Sequence, residues 1–245
     1  MIGWASPDVA SRRPRASRGG GPRGGAARAG ALREARRAPT GGGVGPGGVL
    51  RSEGLQGWGA GGGAESSRVI GVAIPIPEPY GSRLQRIRAE LGDPLAYAIP
   101  THITLVPPTE VGAGPAALAA IDEHLSAVAA TERPFRIRLR GTATFRPVSP
   151  VVFVALAEGI GGCERLQRRV LAGPLERELE FPYHPHVTIA HHLPEEVMDR
   201  AYKELAHFEA VFEADGFSLY EHGSDGVWRP RRHFAFGAAP DAGPG

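Results

Sequence analysis

The sequence predicts an α+β fold assembled from a β-α-β-α-β unit that occurs twice. Two observations carry this. The segments His102-Ile103-Thr104-Leu105 and His186-Val187-Thr188-Ile189 share the form H-x-T-apolar, each inside a β-favouring run. Their surroundings recur in the same order. Val69 to Ile74, Leu84-Gln85-Arg86 and Gly92-Asp93-Pro94-Leu95 precede the first motif. Val151 to Leu156, Leu166-Gln167-Arg168 and Gly173-Pro174-Leu175 precede the second. The interval from Leu-Gln-Arg to His is 18 residues in one unit and 20 in the other.

Taken in order, Val69 to Ile76 reads as a buried strand ended by Pro75, Pro77 and Pro79. Ser82 is placed to cap a helix whose apolar positions Leu84, Ile87 and Leu91 fall at helical spacing, and Gly92-Asp93-Pro94 ends it. Ala98 to Val106 is the first H-x-T strand, closed by Pro107-Pro108, and residues 115–130 form an Ala-rich helix. From Pro134 to Phe145, Phe135, Ile137 and Leu139 alternate with Arg136, Arg138 and Arg140, a half-exposed strand with a basic solvated face. The second unit reads as a strand over Val151–Ala157, a helix over Cys163–Leu171 and a strand over His184–Ala190. A helix over Pro194–Phe208 follows, opened by Glu195 and Glu196. Val211–Tyr220 and Val227–Phe236 then form a closing hairpin through Gly223-Ser224-Asp225-Gly226.

Composition divides the chain near Ser67. Residues 1–67 hold 19 of the 35 Gly and 10 Arg against 4 acids, with no apolar periodicity, so disorder is expected there. Three readings of this extension compete: upstream DNA translated from a start assigned too early, an RNA-binding arm, or a transit peptide. A flexible tail is expected over 238–245. Residues 68–245 carry 18 basic and 22 acidic side chains, so the basic overall balance says nothing for a nucleic-acid surface on the domain. No apolar run approaches the ~20 residues of a membrane span. The single Cys163 excludes an intrachain disulfide and fits a reducing cytoplasm, where we place a monomeric protein.

On a strand, residues i and i+2 share a face, so each H-x-T segment presents an imidazole and a hydroxyl side by side. Two such strands facing one another bring two histidines and two threonines to one pocket, an inventory suited to acid–base chemistry on a phosphate ester. Opening a cyclic phosphodiester needs a base for the attacking water and an acid for the departing ribose oxygen. Two imidazoles titrating near neutrality serve both. Threonine hydroxyls can donate to the phosphate oxygens where charge builds up, and no metal is required.

These paired motifs, 84 residues apart in a duplicated unit, resemble the 2H phosphoesterase superfamily, in particular its 2'-5' RNA ligase and RNA 2',3'-cyclic phosphodiesterase branch. The resemblance spans about Arg68 to Gly237. It implies a bilobal fold of duplicated units with pseudo-twofold symmetry around a central cleft, here with lobes of about 68–147 and 148–237. It gives the catalytic roles to His102, Thr104, His186 and Thr188; we take His102 as acid and His186 as base, although the near-symmetry of the two units leaves the sequence open to the reverse assignment. It also implies hydrolysis of 2',3'-cyclic phosphates of RNA ends or nucleotides to 2'-phosphates, and in reverse 2'-5' ligation, with no cofactor. Phe145, Tyr183 and His184 are candidates for substrate binding, Phe145 by stacking on a base. Arg231 and Arg232 on the last strand could meet phosphates, although a solvated edge explains them better. Small cyclic nucleotides and ADP-ribose cyclic phosphate are alternative substrates. Two rival readings are a zinc site built from His184, His186, His191 and His192, and a non-catalytic RNA-binding module.

Overall fold

The computed structural model describes residues 67–237. The expected disorder before Ser67 and the expected flexible tail over 238–245 lie outside the described residues. The chain order is β1 (Ser67–Pro75), α1 (Tyr80–Glu90), β2 (His102–Gly112), α2 (Pro115–Thr131) and β3 (Phe135–Thr144). It continues as β4 (Val151–Glu158), α3 (Ile160–Val170), β5 (His186–His191), α4 (Glu195–Glu204) and β6 (Glu209–Ala214). A hairpin of β7 (Gly216–His222) and β8 (Trp228–Ala235) closes it. The β-α-β-α-β order therefore does occur twice, followed by the hairpin.

The strands make two four-stranded antiparallel sheets, β2-β1-β7-β8 and β5-β4-β3-β6. In each, the H-x-T strand lies at one edge, beside the first strand of its own unit. The expected lobe boundary at 147/148 is corrected by this pairing. β3, from the first unit, crosses into the second sheet beside β4, and the C-terminal hairpin returns to the first sheet beside β1. The crossing point is Asp215. The run expected as one strand over Val211–Tyr220 breaks there into β6, paired with β3, and β7, paired with β1.

Other boundaries moved for local reasons. β2 runs on through Pro107 and Pro108 to Gly112 instead of stopping before them. An edge strand offers one side on which a missing N–H costs nothing, so prolines are tolerated there. Helix α1 starts at Tyr80, ahead of Ser82, whose hydroxyl donates back to the Pro79 carbonyl and caps nothing. β5 starts at His186, so His184 precedes the strand.

Side chains from one face of each sheet, including Val72, Ile74 and Ile103 of the first and Val152, Val154 and Val187 of the second, share a single core with Leu84, Leu125, Leu166 and Met198 of the helices. Fully burying an aliphatic side chain of this size contributes about 1.5–3 kcal/mol. Helix spacing explains the helical share: Ile121, Leu125 and Val128 of α2 fall on one buried stripe, with Pro115 in its first turn. Before α3, Gly159 adopts φ +92°, and a Cβ there would meet the Arg136 carbonyl at 2.8 Å. Arg136 and Arg138, expected as a solvated face, pair with Glu158 and Glu209 at the surface. Among the described residues, no helix is long and apolar enough to cross a membrane.

Candidate active site

The edge positions of β2 and β5 decide the site. The two strands belong to different sheets yet lie against each other. On β2, His102 stands opposite Pro75 and Thr104 opposite Ala73, while Ile103 opposes Ile74 on the core face. On β5, His186 stands opposite Ala155 and Thr188 opposite Phe153, while Val187 opposes Val154. Both pairs thus point away from the core, as the i, i+2 spacing predicts. His102 is half-buried, His186 and Thr104 are buried, and Thr188 is half-buried.

The two imidazoles are held in the same way. His102 Nδ1 donates to the Pro100 carbonyl at 2.6 Å, and His186 Nδ1 donates to the His184 carbonyl at 2.7 Å. Since a carbonyl can only accept, this clamp two residues upstream assigns the proton to Nδ1 and makes Nε2 the working nitrogen of both rings. His102 Nε2 lies 3.1 Å from Thr104 Oγ1. The loop before β2 that supplies Pro100 is fastened by the buried Arg88. Its guanidinium donates to Asp93, to the Leu95 carbonyl and to the Ile99 carbonyl at 2.9, 3.2 and 2.7 Å.

Burial lowers both imidazoles to about 4, against the clamping hydrogen bonds, which raise them. The Arg88 cation and His186 lower His102 further, so the two rings are close enough to feel each other's charge. His184 acts on His186 in the same sense. Both rings rest neutral at pH 7. A bound phosphate anion works in the opposite direction and favours the imidazolium.

The structure brings Phe145 and His184 to the His186 ring. Phe145 meets it edge-on at 5.0 Å between centroids and packs on Phe153 at 4.4 Å. The His184 ring stacks at 6.3 Å from His186. Tyr183 sits elsewhere. Its buried hydroxyl donates to the Thr104 carbonyl at 3.0 Å, so it clasps the segment before β5 to β2, and its hydroxyl is committed to backbone where a substrate contact was expected. Arg231 pairs with Glu221, and Arg232 with Asp122, on the opposite face from the motifs. Buried Cys163 has its thiol pushed up to about 12 by desolvation, which keeps it unreactive. His191 and His192 pack ring to ring at 4.2 Å. Among the described residues, no three His, Cys, Asp or Glu side chains are grouped to hold a metal ion.

Sequence reasoning missed three parts of this arrangement: the upstream carbonyl clamps, Phe153 as a wall of the site, and Arg88 as anchor of the loop. The first has no side-chain signal at all. The last carried one, an Arg five residues before an Asp at a helix end.

Comparison with known proteins agrees with this geometry. The chain is 28% identical over 148 residues to the Bacillus licheniformis protein named "Putative phosphoesterase BLi01284/BL02661", covering 60% of this chain and 86% of that one. It is 29% identical over 143 residues to a similarly named Geobacillus kaustophilus protein, covering 57% and 80%. In fold it is similar to TT0787 of Thermus thermophilus, with a TM-score of 0.51 and 24% identity over 70% of this chain and all of that one. A crystal structure of a phosphoesterase gives 0.50 and 18% over 71% and 100%. The profile of the 2'-5' RNA ligase superfamily matches residues 76–226, which is more than half of the sequence, and the chain belongs to that superfamily.

Proposed function

We propose that the protein is a metal-independent phosphodiesterase that opens 2',3'-cyclic phosphates at RNA ends or on nucleotides, leaving 2'-phosphates. The observation that carries this is the matched pair of imidazoles on abutting edge strands, each held by Nδ1 with Nε2 directed to the work. In the forward step a base takes a proton from water as its oxygen attacks phosphorus. The P–O3' bond breaks, and the acid protonates the departing 3' oxygen. The products are a 2'-phosphomonoester and a 3'-hydroxyl. With a 5'-hydroxyl in place of water as nucleophile, the same forward step breaks P–O3' and forms a 2'-5' linkage. Each proton transfer contributes roughly 10²–10⁴-fold.

We take His186 as base and His102 as acid; burial lowers both rings alike, and only His102 has a hydroxyl, Thr104 Oγ1, 3.1 Å from its Nε2. Thr104 and Thr188 donate to the non-bridging oxygens, where charge accumulates. Phe145 and His184 lie where a nucleobase could stack. Both histidines come from one chain, so a monomer suffices.

The test is a panel assay in EDTA with three substrates: RNA ending in a 2',3'-cyclic phosphate, a mononucleotide cyclic phosphate and ADP-ribose cyclic phosphate. Conversion of either of the first two to a 2'-phosphate is expected. No conversion of any of the three overturns the reading, and conversion of the third alone replaces the substrate class.

A further inference from the structure

The carbonyl that clamps His102 is itself held in place. Arg88, in the last turn of α1, is buried, and its guanidinium is committed to the loop between α1 and β2. Nε donates to Asp93 Oδ2 at 2.9 Å, and Nη2 lies 2.9 Å from the same oxygen. Nη2 also donates to the Leu95 carbonyl at 3.2 Å, and Nη1 to the Ile99 carbonyl at 2.7 Å. Asp93 returns to the loop and accepts the Leu95 N–H at 2.9 Å. On the other side of Pro100, the Thr101 hydroxyl donates to the Gly81 carbonyl at 2.8 Å, and the Thr101 carbonyl accepts from the Ile76 N–H at 3.2 Å. The Pro100 carbonyl therefore stands between two fixed residues, and the proline ring fixes its own φ.

Stability is a weak reason for this arrangement. An apolar pair of similar volume in place of a buried ion pair is often neutral or stabilising, whereas a planar guanidinium fork sets the direction of the carbonyls it meets. The second motif lacks the device. Arg177, the arginine of the segment 176–185 that carries the His184 carbonyl, donates outward to Pro108 and Thr109, and among the described residues no arginine donates into that segment. Nδ1 keeps its proton in both the neutral and the charged imidazole, so the Pro100 clamp on His102 holds through a proton transfer at Nε2. The Arg88 charge also lowers His102, which makes an imidazolium there readier to release its proton.

We propose that Arg88 is the positioning residue of the acid: by holding the Leu95 and Ile99 carbonyls it fixes the Pro100 carbonyl, and through it the tautomer and aim of the His102 imidazole. The effect on turnover rests on the function proposed above, and the effect on the ring does not. The two imidazoles have like clamps, with a buried guanidinium behind one and none behind the other.

The test is Arg88→Lys, which keeps the charge beside Asp93 and removes the planar fork. Should that variant not fold, Arg88→Met combined with Asp93→Asn removes both charges together and is read in the same way. Nitrogen NMR of the rings at neutral pH should show His102 change from the Nδ1–H tautomer to a mixture of the two, with His186 unmoved. On an RNA 2',3'-cyclic phosphate, kcat should fall about tenfold or more with KM little changed, and the loss should vanish in a His102→Ala background. A His102 ring that keeps its Nδ1–H tautomer in the variant, or an equal loss of kcat with and without His102, overturns the proposal. A wild type that turns over no cyclic phosphate overturns the parent function instead, and the ring signal still decides the role of Arg88.

Discussion

The two motif-bearing sheets share a plan and differ in what surrounds it. Each places its histidine at an edge, clamps Nδ1 to a carbonyl two residues upstream and carries a threonine two residues on along the strand. Around His186 the wall is aromatic, made by Phe145, Phe153 and His184. Beside Thr104 the neighbouring strand carries Ala73, which is buried with Ile99, Tyr220 and Trp228. Duplication supplies a symmetric pair of clamped imidazoles, and the neighbouring positions differ between the two sheets. A symmetric cleft would accept a substrate in either orientation. Here the surroundings differ, aromatic beside His186 and small beside Thr104.

The sharpest way to break the comparison is to remove each imidazole in turn. His102→Ala and His186→Ala should each lower kcat by about 10²-fold or more, measured on an RNA 2',3'-cyclic phosphate. Because the two act as a unit, the double variant should be little worse than the worse single one. A single variant that kept near wild-type kcat would show that one sheet alone does the chemistry.

A smaller effect isolates the aromatic wall. Burial holds both imidazoles near 4, so the neutral forms dominate above that value and protonation sets in only as pH falls through it. Phe145→Ala admits water to His186 and should raise its titration toward the ordinary 6.5, leaving His102 in place, as followed by NMR of the ring protons. Equal movement of both rings would mean that the wall does not belong to one lobe. Smaller still is the clasp between the sheets. Tyr183→Phe deletes the hydrogen bond to the Thr104 carbonyl and should cost about 1 kcal/mol in chemical denaturation. An unchanged midpoint would remove Tyr183 from the contacts that hold the sheets together.

The placing of each His with its Thr was legible because strand periodicity is local: two residues apart means one face, wherever the strand ends up. The β-α-β-α-β order was legible for the same reason. Which strand pairs with which was not. Nothing in Phe135 to Thr144 distinguishes a partner in its own unit from one in the next, because antiparallel edges offer the same hydrogen bonds to either. Val211 to Tyr220 likewise reads as one strand, and the change of sheet at Asp215 is a tertiary choice. The aromatic wall depends on cross-strand register, which puts Phe153 beside Thr188 without any spacing signal in the sequence.

The exchange of strands between the units has a consequence for the cleft. Because β3 is lent forward and the hairpin is lent back, neither sheet is complete without chain from the other side of the repeat boundary. The halves are interlocked instead of merely tethered. A polypeptide severed between them would yield two pieces, each lacking a central strand, and the approach of β2 to β5 would exist only when both were present.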